Sequence, residues 1–265
     1  MKTGIIGYGS MGKMLLWKFS EAGNIGKDDL LVSNRTPEKL NEAKDIAQIV
    51  SNKELAAACD MIFVCVRPSD LKAVLTEIRD VVHPEALLVS LNGSVSFESI
   101  HKVIDCSIAK VIPSLTAEIG RSQTLVCFDD KVKDKNSLKD LLSYIGDVIE
   151  LPEEEMGMGS ELVSCMPGFI ASIFDVICKS AKGHTSIPTD QIVSMVLSTM
   201  SATGDLMLQK DMSFEDVVTR VATKGGITEE GTKVIYERFP DTMDLLFEKT
   251  LEKRRMTTQK AQKEF

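Results

Sequence analysis

The chain has 265 residues, 43% of them hydrophobic and 26% charged, which is long enough for two domains and ordinary for a globular protein. Its net charge of −8, with no basic block to offset it, argues against a nucleic-acid partner. The acidic balance still permits a phosphate-bearing cofactor, because such sites are built from backbone N–H groups and one or two local cations.

From the start to about residue 150, short apolar runs alternate with amphipathic stretches. Strands are predicted at 4–6, 30–33, 61–66, 86–91, 109–112, 124–128 and 148–151, with helices at 11–22, 37–44, 51–58, 69–81 and 136–145. The run 61–66, Met-Ile-Phe-Val-Cys-Val, is apolar throughout, as in a strand covered on both faces. Such alternation predicts a Rossmann-type α/β domain, a doubly wound parallel sheet with right-handed crossovers, over residues 1–152.

The segment 151–159, with Glu153–Glu155 read as a solvated run, is the expected joint between domains. Beyond it the strand pattern stops, and an all-helical domain is predicted over 158–265, with helices at 161–182, 189–210, 213–223, 228–239 and 241–255. Ser213 followed by Asp216 is an N-cap pattern, Pro240 is expected to end the preceding helix, and residues 256–265 are expected to fray. The methionines of this half are read as core or helix-packing residues. Six cysteines form no C-x-x-C pair and read as free thiols of a reducing cytosol, and three scattered histidines offer no zinc spacing, so no metal is expected. The chain opens in strand-like KTGIIGYG without a signal-peptide pattern. Its longest uncharged runs, 162–174 and 191–204, fall short of the ~20 residues of a membrane span. A cytoplasmic protein with no membrane partner is expected.

Gly7-Tyr-Gly9-Ser-Met-Gly12 matches G-x-G-x-x-G, a weak motif alone but here placed between a strand and an apolar-faced helix. Gly7 suits the tight turn, Gly9 lets a pyrophosphate approach the backbone, and Gly12 allows close helix–strand packing. The unpaired N–H groups of Ser10, Met11 and Gly12 then face the phosphates at a positive helix end. The second strand ends in Ser33-Asn34-Arg35-Thr36, with no carboxylate until Glu38. An NAD-specific domain usually carries Asp or Glu there; Arg35 suits a 2′-phosphate, with neutral hydrogen bonds from Asn34 and Thr36, so NADP(H) is the expected cofactor. The strand 61–66 leads into Val66-Arg67-Pro68, at the sheet edge where the cofactor ribose would pass. Arg67 is either a cofactor contact or a solvated charge.

Taken in order, these segments resemble the pyrroline-5-carboxylate reductase family over nearly the whole chain. Val66-Arg67-Pro68 stands for the family's V-K-P, Lys110-Val-Ile-Pro113 for R-V-M-P, Pro167-Gly-Phe169 for P-A-F/Y, and residues 222–228, ATKGGIT, for T-x-P-G-G-T-T. The resemblance implies a helical domain that dimerises, an active site between the domains, and NAD(P)H-dependent reduction of the cyclic imine L-1-pyrroline-5-carboxylate to proline. It assigns Thr228 a hydrogen bond to the ring nitrogen or carboxylate of the substrate, although a threonine there can equally cap the helix 229–239. It gives Gly225 and Gly226 the role of presenting N–H groups to the carboxylate, and Ser164 a further hydrogen bond. Ser114 stands in place of the family asparagine of N-T-P, Val163-Ser164-Cys165-Met166 in place of S-G-S-G, and Lys224 in place of a proline. These departures are similar to those of the late-competence (ComER-type) branch, and they bear on the substrate more than on the cofactor. Two alternatives stay open: an NAD(P)H- or F420-dependent oxidoreductase with another small substrate, and a non-catalytic NADP-binding regulatory homologue.

Overall fold

A computed structural model describes residues 1–23 and 25–265. Alternating strands and helices build an eight-stranded sheet of order β3-β2-β1-β4-β5-β6-β7-β8. In chain order its elements are β1 (Thr3–Ile6), α1 (Ser10–Glu21), β2 (Leu30–Ser33), β3 (Gln48–Ile49), α2 (Asn52–Ala58), β4 (Met61–Val64) and α3 (Pro68–Ile78). Then follow β5 (Leu87–Ser90), α4 (Phe97–His101), β6 (Ser107–Ile112), β7 (Ser122–Phe128), α5 (Asn136–Leu142) and β8 (Gly146–Glu150). The segment Pro37–Ala43, expected as a helix, is wound as 3₁₀.

Successive residues of each strand point to opposite faces, which produces two cores. Ile5, Val32, Phe63, Val89 and Val111 pack with Leu15, Leu16 and Phe19 of α1 and Leu138 and Leu142 of α5. On the other face Ile6, Ile62, Val64, Leu88 and Ile108 meet Leu55 of α2, Leu71, Leu75 and Ile78 of α3 and Ile100 of α4. This is why runs such as 61–64 are apolar at every position. A capping box, Ser51 with Glu54, starts α2.

The sheet departs from the all-parallel expectation at one pairing. β6 and β7 are antiparallel, with Val111 opposite Val126. An apolar run is buried on both faces in either direction, so its pattern does not encode polarity. β3, two exposed residues beside β2, is too short to leave a pattern.

After β8, α6 (Met156–Ser160) leads through a π-helical turn, Glu161–Cys165, into α7 (Met166–Lys182). α8 (Thr189–Lys210), α9 (Phe214–Val221) and α10 (Ile227–Glu264) follow. The chain forms two compact units, Met1–Pro167 with Leu251–Phe265, and Gly168–Thr250. The division thus falls about two turns beyond the 151–159 segment, and the end of α10 belongs with the first unit.

Three expectations for this region are corrected. Glu153 is not a solvated linker residue: its Oε1 accepts the backbone N–H of Phe97 at 2.9 Å and binds the ammonium of buried Lys110, which a position inside β6 leaves without water. Pro240 does not end a helix, since α10 runs through it. The missing N–H frees the carbonyl of Tyr236, an exposed residue, where solvent can satisfy it. Residues 256–265 do not fray but stay helical to Glu264. Ala261 is buried in the α2–α3 core, Phe265 packs against it, and Lys72 Nζ donates to the carbonyl of Glu264 at 2.9 Å. Further up, Arg254 donates twice to the buried Glu161 carboxylate, at 2.7 and 2.9 Å, and to Ser160 Oγ at 3.0 Å.

The continuous helical stretch Glu153–Lys182 is, by length and composition, apolar enough to cross a membrane, with a mean hydropathy of 1.6 in its most apolar window. Counting uncharged runs missed it, because the few charges sit near the ends of one long helix. That window is only 11% buried, so the apolar face of α7 is open in the single chain.

Candidate functional site

The β1–α1 turn is shaped by its glycines. Gly7 has φ +100°, and a Cβ on it would lie 2.7 Å from the Cys65 carbonyl oxygen; its N–H donates to the Ser33 carbonyl at 2.9 Å. A Cβ on Gly12 would lie 2.0 Å from the Gly7 carbonyl oxygen, so only glycine lets α1 begin this close to the strand. Gly9 differs: a Cβ there would meet nothing within 4 Å. No side chain caps α1, and its first turn holds no carboxylate. The N–H groups of Ser10, Met11 and Gly12 therefore form an uncompensated positive helix end beside open space, a cradle that fits a pyrophosphate.

A cavity of about 450 Å³ opens at the carboxyl ends of β1, β2 and β4. It brings together Gly7, Gly9, Asn34, Arg35, Thr36, Val66 and Arg67 of the predicted set. Ser10, Met11, Gly12 and Pro68 do not line it; Gly12 is buried beneath the turn and Pro68 is the first residue of α3. Asn34 is occupied structurally, its Oδ1 accepting the Tyr8 N–H at 3.0 Å and its Nδ2 donating to the Thr36 carbonyl at 2.9 Å. Arg35 projects into solvent, with its guanidinium 3.8 Å from Asp70 Oδ1. Arg67 is exposed at the N-cap of α3. Burial pushes the Cys65 thiol well above its usual range, so that wall of the cavity is neutral.

Sequence reasoning missed four polar residues of this cavity, Lys39, Asn52, Asp70 and Glu77. Asn52 links β2 to α3, accepting from Ser33 Oγ at 2.7 Å and donating to Glu77 Oε2 at 2.8 Å. Asp70, Ala73, Val74 and Glu77 have the spacing of one helical face, and that face of α3 lines the cavity. The signal was present, because the helix begins at Pro68, immediately after β4.

The remaining predicted residues lie elsewhere. Ser164 is exposed within the π-helical turn of the first unit. Thr228, partly exposed, stands in the first turn of α10 in the second unit, one residue inside the helix rather than at its N-cap. Gly225 has φ +72°, and its N–H donates to Glu229 Oε2 at 2.7 Å; the Gly226 N–H donates to the Thr223 carbonyl at 2.8 Å. Both amides expected to face a substrate are therefore bonded within the chain. Ser114 is buried, its N–H donating to Ser122 Oγ at 3.0 Å. A larger cavity, about 610 Å³, lies between α4 and the segment after β8; His101 Nε2 lies 2.9 Å from Asp129 Oδ2 there, while Lys131, Glu150 and Glu153 pair with Asp105, Lys135 and Lys139, and Lys110 outside it.

A doubly wound sheet with a glycine turn feeding its first helix is the Rossmann class of dinucleotide-binding fold. Residues 2–93 match the family described as NADP oxidoreductase coenzyme F420-dependent, and residues 153–257 match pyrroline-5-carboxylate reductase dimerisation. The chain is 32% identical over 269 residues to pyrroline-5-carboxylate reductase 3 of Bacillus subtilis, covering 99% of each, and 27% identical to ComE operon protein 4 of the same organism, covering 94% of each. It therefore belongs to the pyrroline-5-carboxylate reductase family, a family of oxidoreductases. The fold agrees with the NADP-bound pyrroline carboxylate reductase of Plasmodium falciparum, at a TM-score of 0.84 and 20% identity over 100% of this chain and 98% of that one. It agrees equally with the enzyme of Coxiella burnetii, at 0.85 and 20% identity over 99% and 98%.

Proposed function

We propose that the protein reduces L-1-pyrroline-5-carboxylate to L-proline with NADPH, as a cytoplasmic homodimer. The observation that carries this reading is the 32% identity, over 99% of both chains, to a protein named as a pyrroline-5-carboxylate reductase. The open cradle at Gly9 and the arginine at the end of β2 support the cofactor. When bound, NADPH supplies a hydride to the imine carbon while the ring nitrogen carries a proton.

The chain's own residues bind and orient. The N–H groups at the start of α1 would hold the pyrophosphate, Arg35 the 2′-phosphate, and Val66 to Pro68 would border the ribose. Thr228 would hydrogen-bond the ring nitrogen or the carboxylate, with Ser164 as a further partner. A substrate carboxylate at Gly225 must displace Glu229, whose own carboxylate already occupies that amide.

Purified protein is expected to oxidise NADPH in the presence of pyrroline-5-carboxylate and release proline. Thr228→Ala is expected to lower kcat about 10- to 100-fold, the loss of one hydrogen bond strengthened in the transition state. Tight NADPH binding with no turnover of any imine would overturn the proposal in favour of a regulatory protein. Oxidation of reduced F420 but not of NADPH would favour the deazaflavin reading carried by the family description of residues 2–93.

A further inference from the structure

We propose that Asp70 sets the preference of the site between NADPH and NADH, by opposing Arg35 across the ribose end of the cavity. This rests on the dinucleotide reading above and adds a residue that fixes its selectivity.

The end of β2 carries a cation and no carboxylate, which taken alone means a 2′-phosphate site. The fold changes that balance. α3, starting at the carboxyl end of β4, delivers the Asp70 carboxylate to the same cavity, 3.8 Å from the Arg35 guanidinium. A ribose 2′-substituent reached by Arg35 thus meets a negative charge from the opposite wall. The 2′-phosphate of NADPH, with a charge of about −1.5 to −2, is attracted by one and repelled by the other. The 2′-hydroxyl of NADH can instead donate to Asp70, the part that a carboxylate at the end of β2 plays in NAD-specific domains.

Glu77, on the same face of α3, does not share this part. Its carboxylate is held by Asn52, which Ser33 holds in turn. Asp70 has only the loose contact with Arg35, whose side chain is 80% exposed, so the pair costs little to open. The site therefore accepts both nucleotides, with a modest lead for the phosphorylated one.

The test is calorimetric titration of the full chain with NADP⁺ and with NAD⁺, which needs no imine. Asp70→Asn is expected to tighten NADP⁺ about five- to tenfold at low salt and to weaken NAD⁺ about two- to threefold, with the NADP⁺ gain shrinking at high salt. Glu98→Gln, which removes an equal charge from an 83% exposed position on α4 outside the cavity, should leave the ratio unchanged. Asp70→Ser, which keeps a hydrogen-bonding group in the first turn of α3, should repeat the tightening of NADP⁺ if the asparagine variant folds poorly. In an Arg35→Ala background the effect of Asp70→Asn on NADP⁺ should fall, because the carboxylate no longer neutralises a phosphate ligand. Binding of both nucleotides with a ratio that neither Asp70 variant moves would overturn the proposal. Wild-type protein that binds neither would instead overturn the cofactor reading beneath it.

Discussion

At the scale of single residues, the three glycines of the turn do different work, and substitution separates them. The Gly12 position has no room for a Cβ, so Gly12→Ala forces α1 away from β1 and should cost about 1–3 kcal/mol of stability, read as a lowered Tm. The Gly9 position has room, and its φ of −86° suits any residue. Gly9→Ala should therefore leave Tm close to wild type while raising the NADP⁺ Kd about tenfold or more, or ~1.4 kcal/mol, because the added methyl would stand on the proposed approach of the pyrophosphate. A Gly9→Ala protein that binds normally would place the phosphates elsewhere. The motif was legible in the sequence because its spacing is local. Asp70 was legible only as a first-turn residue of α3; that its carboxylate crosses the cavity to Arg35 depends on how α3 packs, which the end of β2 does not indicate. Gly225 and Gly226 show the converse: the pattern marked them, but the Glu229 carboxylate takes the Gly225 amide and the Thr223 carbonyl takes that of Gly226.

At the scale of elements, the β6 ion pair explains why the segment after β8 lies where it does. Lys110 is buried, with its Nζ 4.7 Å from the centre of the Phe97 ring, and Glu153 is its counterion. Burial lowers the proton affinity of Lys110 below its ordinary 10.5, and Glu153 pulls it back up. Between the lowered value and 10.5 the unfolded chain holds more protons than the folded one, so stability rises as pH climbs through that window. Glu153→Gln removes the compensating charge and widens the window downward. The variant should lose about 2 kcal/mol near neutrality, discounted because Glu153 is over a third exposed, and the deficit should narrow as pH approaches 10.5. Urea unfolding at several pH values reads this directly, and a deficit that grows with pH would refute the role given to Lys110. Strand runs and most helices were legible because burial on both faces imposes a continuous apolar pattern. The β6–β7 polarity and the partner of Lys110 depend on contacts distant in sequence, which local pattern does not carry; the passage of α10 through Pro240 turns on the exposure of the Tyr236 carbonyl, which the sequence does not show.

At the scale of the whole molecule, the second unit exposes many large apolar side chains, the kind of surface that marks an interaction site. Val176 on α7 is 65% exposed and Leu208 on α8 is 79% exposed, and no helix of Gly168–Thr250 other than α8 contributes a buried hydrophobic residue from within that unit. The match of residues 153–257 to a dimerisation family supports homo-oligomerisation, and we propose a second copy of the chain as the occupant of this surface. That interface would account for the membrane-like hydropathy of Glu153–Lys182, since a helix buried between two copies carries the apolar face that a bilayer would otherwise require. The two accounts diverge in the test tube. If the surface is a subunit interface, the protein sediments in detergent-free buffer as a dimer or a higher oligomer at micromolar concentration and does not float with lipid vesicles. Val176→Asp combined with Leu208→Asp should then raise the subunit Kd about a hundredfold or more, by burying two unpaired carboxylates at the contact. The NADP⁺ binding proposed at the glycine turn, which draws on residues of the other unit, should survive in the separated subunits, whereas the proposed imine reduction should fall if Thr228 needs the second copy to hold the start of α10. Wild-type protein that sediments as a stable monomer would remove both the interface and this explanation of the apolar helix.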